Sequence, residues 1–161
     1  MLKNWKRSVA FFLVIVMAFV SNVTVFASAQ DISSLLNDNR AEIENTLQQV
    51  LNYSYYDEGD FIIEHDIVTD GVLTEDQYQD ALSAVAMWQQ VEDKYGLEYV
   101  QTRVAIPAAL AAVLATVAVL FGEAIVGEIT SYFMTWGMTA GCQKFQDIDL
   151  IRSFCEANDF L

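Results

Sequence analysis

Two cysteines, one histidine and 22 carboxylates are the side chains of this 161-residue sequence from which chemistry could be assembled. Cys142 and Cys155 lie thirteen positions apart, a spacing open to a disulfide, to free thiols or to metal ligation. In an exported chain the disulfide is the expected use. It would close a loop around Gln143 to Phe154, contribute about 3 kcal/mol by the chain-entropy relation, and tie a short helix over Ile148 to Glu156 to what precedes it. His65 is the only histidine, so no multi-histidine metal site and no second imidazole are available. Glu64-His65-Asp66 reads as a solvated cluster in which His65 senses pH through its acidic neighbours. Carboxylates are abundant, but no spacing singles out an acid–base pair. No Gly-rich phosphate loop, G-x-S-x-G elbow or Cys-x-x-Cys is present, so enzymatic activity is not expected, nor is a cofactor.

One short stretch invites a metal. Asp66 to Tyr78, DIVTDGVLTEDQY, resembles the calcium loop and following helix start of an EF-hand. Asp66 stands at the first ligand position, Asp70 at the fifth, Gly71 at the turn and Leu73 at the apolar eighth. The stretch departs from that pattern at Val68, where the third oxygen ligand belongs, and at Gln77, which replaces the bidentate Glu. An Asp-Gly turn leading into a capped helix accounts for the same residues without metal, and no metal site is assigned. Asn52-Tyr53-Ser54 fits a glycosylation acceptor.

The elements that hold these residues follow from charge and periodicity. Lys3, Lys6 and Arg7, the apolar run Val9 to Val20 and the small residues Ala27-Ser28-Ala29 read as a secretory signal peptide over residues 1–29, cut before Gln30. Its removal takes away three of the eight basic residues and none of the 22 acidic ones. The exported chain is therefore strongly anionic, which disfavours nucleic acid and anionic lipid as partners. Residues 30–103 form an acidic helical region carrying 16 of the acids. There, Ile32, Leu35, Leu36, Ile43, Leu47, Val50 and Leu51 keep helical spacing. The helix restarts at Asn39, whose side chain is expected to cap while Glu42 reaches back. Tyr53 to Asp60 reads as a loop, and Phe61-Ile62-Ile63 as an extended piece or a helix fragment. Thr74-Glu75-Asp76-Gln77 is a capping box, followed at helical spacing by Tyr78, Ala81, Leu82, Val85, Trp88 and Tyr95 up to Gly96, a C-terminal cap.

Residues 104–141 are different in kind. Val104 to Gly122 holds nineteen residues without a charge, and up to Gly141 only Glu123 and Glu128 intervene. On a helix, Ala108, Ala111, Ala112, Ala115, Ala118 and Gly122 fall on one stripe, opposite Ile106, Leu110, Val113, Leu114, Val117, Leu120 and Phe121. The small stripe suits close approach by another helix and self-association. Pro107 stands near a helix start. A break near Gly122-Glu123 or Gly127-Glu128 would fold the stretch into a helical hairpin, and residues 142–161 follow as a polar tail holding the cysteine pair. The expected fold is all-α: amphipathic acidic helices and a hydrophobic C-terminal hairpin.

Three functional readings remain. A single-pass anchored surface protein needs Lys or Arg after the span, where Glu123 and Glu128 stand instead. An exported, membrane-seeking hairpin fits the charge pattern better, with lipid or a hydrophobic protein as partner. A soluble secreted binding module with the hairpin buried centrally needs no membrane; its two amphipathic helices barely cover the hairpin, so an exposed apolar patch is expected. The order of an exported polar region before an apolar segment resembles the secreted precursors of bacterial peptide toxins of the sporulation-delaying type. Ile106-Pro107-Ala108-Ala109-Leu110-Ala111 is similar to apolar stretches of circular bacteriocins. Those likenesses imply a membrane-active segment, secreted or held at the outer face of a membrane. The chain departs from them in placing its cysteines after the apolar segment, and in having only Lys144 and Arg152 against six acids over residues 104–161.

Overall fold

The computed structural model describes residues 29–97 and 110–161. Over these the chain is helical apart from one two-stranded sheet. Residues 1–28 of the expected signal peptide, Pro107, Ala108 and the boundary at Arg103 lie outside the described residues.

Helices α1 (Ala29–Asp38) and α2 (Arg40–Asn52) bury Ile32 and Leu36, then Ile43, Leu47 and Val50, the i, i+4 and i, i+3 positions of one stripe. They part at Asn39, as the polar run there predicts, but the expected cap is not made. The Asn39 amide instead donates backward to the Leu35 carbonyl at 2.8 Å, a second donor beside the Asn39 backbone N–H at 3.3 Å.

The stretch expected as a loop is a hairpin. β1 (Ser54–Asp57) pairs antiparallel with β2 (Asp60–Ile63), setting Tyr56 opposite Phe61 with ring centroids 5.2 Å apart. Glu58 and Gly59 both take positive φ, the geometry of a two-residue turn that matches strand twist. Phe61 and Ile63 are buried, while Tyr55 and Tyr56 remain exposed.

A single turn, α3 (Asp66–Thr69), buries Ile67 and leads to α4 (Glu75–Tyr95). The start of α4 is the capping box read from sequence. The Thr74 hydroxyl accepts from the Gln77 N–H at 3.2 Å, and the Gln77 side chain accepts from the Thr74 N–H at 3.0 Å. Gly96 ends the helix in the left-handed region. The 21 residues of α4 extend about 30 Å and present Tyr78, Ala81, Ala84, Val85, Trp88 and Val91 to the core.

Against that face lies α5 (Leu110–Phe121), the centre of the molecule, packed on by α4, α2, α6 and α8. α6 (Glu123–Trp136), α7 (Met138–Lys144) and α8 (Asp149–Ala157) complete the chain. Gly122 and Gly137 connect α5 to α6 and α6 to α7 as single residues at φ 88° and 90° with extended ψ, a region closed to side chains with a Cβ. The hairpin break therefore falls at Gly122, and Gly127 stays inside α6. The segment expected as a polar tail contributes Phe145, Ile148, Ile151 and Phe154 to the core. It is anchored by the Cys142–Cys155 disulfide between α7 and α8.

Candidate functional site

Every residue from Leu110 to Val119 is buried. A helix apolar on all sides requires neighbours on all sides, and here the acidic helices supply them. Ala111, Ala112, Ala115 and Ala118 are buried within the chain, as are Leu110, Val113, Leu114 and Val117 of the opposite stripe. The small stripe is thus consumed by intramolecular packing. Gly122, its last member, ends the helix instead of lying in its face. Thr116, the one polar side chain of α5, donates to the Ala112 carbonyl at 2.8 Å. The Gln77 amide reaches from the first turn of α4 to the Val119 carbonyl at 3.4 Å, partnering an acceptor near the open end of α5. Among the described residues no helix is long and apolar enough to cross a membrane.

Beneath α5 sits an aromatic cluster. Trp88 is fully buried and meets Phe133 and Phe154 edge-on at 5.5 and 5.6 Å, while Phe133 stacks on Phe145 at 6.0 Å. The Trp88 indole N–H donates to Glu92 Oε1 at 2.7 Å. Burial pushes the Glu92 carboxyl up to about 7; the indole hydrogen bond opposes this, and the nearby charges of Asp93 and Asp60 add to it. Glu92 carries a signal in the sequence: it stands four residues after Trp88 and three before Tyr95, on the apolar stripe of its helix.

The exposed face of α6 carries an open groove of about 470 Å³, with Ala124, Gly127 and Ser131 as its floor and Tyr132 and Trp136 along one side. Trp136 is 67% exposed, the most open large apolar side chain among those described. Lys144 lies over the Tyr132 ring at 5.8 Å, and Lys94 donates to the Met134 carbonyl on the opposite flank.

The residues of the calcium-like loop are engaged with one another. Gln77 closes the capping box, and Asp70 accepts from the Tyr53 hydroxyl at 2.9 Å, which raises the Tyr53 pKa. Asp66 opens a helical turn and its carbonyl accepts from Thr69 and Asp70. His65 pairs with Glu75 at 3.1 Å, and hydrogen bonds from Gln79 and His65 hold the Glu75 carboxyl below its usual range. Among the described residues no group of three His, Cys, Asp or Glu side chains is placed to hold a metal ion. No protein-family model, no characterised protein and no solved structure matches the chain.

Proposed function

We propose that the chain is an exported, non-enzymatic protein whose acidic amphipathic helices keep an apolar helix pair, α5 and α6, out of water until it meets a membrane or a hydrophobic protein partner, in the manner of a toxin or bacteriocin-like precursor. The observation that carries this reading is the unbroken burial of Leu110 to Val119 beneath an acidic cover. Exposing the two leucines and three valines of that run to water would cost about 10 kcal/mol, comparable with the whole stability of a domain this size. α5 therefore leaves its cover only where another apolar phase replaces it. Its twelve residues reach about 18 Å, short of the ~30 Å hydrocarbon core, so entry would involve α6 as well. Glu123 and Glu128 oppose insertion while charged. Dye release from neutral vesicles, with and without reductant and at acidic and neutral pH, tests the reading. Release under reducing or acidic conditions is expected; vesicles intact under all four conditions would sink it.

A second reading, a soluble secreted binding module, is favoured by the completeness of the same burial. It predicts intact vesicles and a folded chain released whole into culture medium. A fragment beginning near Arg103, detected by mass spectrometry, would favour the precursor.

A further inference from the structure

The exposed face of α6 is polarised in size and in charge. Its N-terminal half carries the small side chains Ala124 and Gly127 and the two carboxylates Glu123 and Glu128. Its C-terminal half carries Trp136 and is flanked by the two ammonium groups of Lys94 and Lys144. None of these four charges has an ion-pair partner among the described residues. Among the described residues no other element lines the groove, and the exposed Trp136 with the small residues Ala124 and Gly127 gives the face both a knob and a hole.

We propose that this face is an interface between two copies of the chain, with their α6 helices antiparallel about Ser131. A two-fold axis there lays Trp136 of each copy along the small-residue half of the other's groove, beside Ala124 and Glu128. The same axis keeps the α4 flank of one copy beside the α4 flank of its mate. Lys94 then approaches Glu123 of the second copy, and Lys144 approaches Glu128, so small meets large and negative meets positive on both sides. The opposite orientation, with the helices parallel, would set carboxylate against carboxylate and Trp136 against Trp136. One helix pair buries less than the ~800 Å² per partner of a standard interface, and the chain's net charge of −14 opposes association. The dimer is consequently weak, with a dissociation constant on the order of 10–100 µM. This inference is independent of membrane entry by α5.

Sedimentation velocity on the disulfide-bonded chain, across about 5–500 µM, reads the outcome directly. The expected result is a monomer–dimer equilibrium that Gly127→Leu abolishes. A Cβ at that position is in ordinary contact with Met87 Sδ, at 3.8 Å, the end of a flexible side chain, and circular dichroism verifies that the variant keeps its fold. Glu128→Lys and Lys144→Glu should each weaken the dimer about tenfold, and the double exchange should restore it. A chain monomeric throughout the range, a dimer indifferent to Gly127→Leu, or a double exchange without rescue each overturns the proposal. So does a monomer whose Trp136 emission shifts to the blue only on neutral phosphatidylcholine vesicles, which would make the face a lipid contact.

Discussion

Gly141 stands against the face of Phe133 so closely that a Cβ on it would lie 2.7 Å from the ring's Cγ, and nearer still to Cδ1 and Cε1. α7 follows α6 after a single residue, and only a hydrogen at position 141 lets it fold back onto the aromatic cluster. Phe133 cannot yield, being wedged between Trp88 and Phe145. Gly141→Ala should therefore lower stability by about 2–3 kcal/mol despite the higher helix propensity of alanine. Urea unfolding followed by tryptophan fluorescence checks this. An unchanged midpoint would mean the cluster has slack that the structure does not contain.

The disulfide is the second test. Cys142 and Cys155 join α7 to α8, and α8 packs Ile151 and Phe154 onto the core. Replacing both cysteines by alanine should cost about 3 kcal/mol, mainly through the freer unfolded chain. Amide exchange in α8 should quicken more than in α4, because α8 is the short element that the bridge holds. Equal acceleration in both helices would contradict a local role for the bridge.

Calcium offers a third. Val68 has no side-chain oxygen to give, Gln77 is engaged at the start of α4, and the Asp70 carboxylate already accepts from Tyr53. Millimolar calcium should leave the thermal midpoint unmoved. A rise of several degrees, reversed by chelator, would show that the loop rearranges to a ligating form.

How much of this architecture is legible in the sequence varies with how local its causes are. The start and end of α4 are written in adjacent residues, Thr74 with Gln77 and then Gly96, and the helix forms between them. The β1–β2 hairpin is less visible. Its strands have four residues each, its turn is Glu58-Gly59 instead of the usual Asn-Gly, and its stabilising contact, Tyr56 on Phe61, exists only after pairing. Asn39 was equally able to bond forward or backward. The backward bond prevails, joining the Asn39 backbone N–H on the Leu35 carbonyl.

The candidate site shows the same division. Composition alone marks α5 as a segment that avoids water, and two cysteines in a chain read as exported make a disulfide their expected use. Which face of which helix remains open does not follow from either. The Ala stripe of α5 and the Ala124-Gly127-Ser131 floor of α6 look alike as sequence, yet the first is enclosed and the second bare. That difference depends on the one-residue connection at Gly122 and on the order in which the acidic helices pack.

The last prediction concerns Glu92, whose position on the apolar stripe sets its titration. Burial, aided by Asp93 and Asp60, raises its carboxyl from the ordinary 4.5 to about 7 in the folded chain. Between those values the folded state holds a proton that the unfolded state has released, so stability falls as pH rises. The contribution is complete below about 4.5 and gone above about 7, opposite in sign to that of Glu75, whose carboxyl is depressed. Glu92→Gln keeps an oxygen to accept from the Trp88 indole and removes the charge. At pH 8 the variant should exceed the parent by about 1–2 kcal/mol, the full shift being discounted for the solvent that reaches this half-buried group. At pH 4.5 the two should agree. Denaturation midpoints at both pH values measure the difference, and a gap independent of pH would show that Glu92 does not bind the proton assigned to it. Glu92→Leu separates the two contributions, since it removes the charge and also leaves the indole N–H without its acceptor. It should gain less than Gln at pH 8 and fall below the parent at pH 4.5, where no charge remains to be relieved.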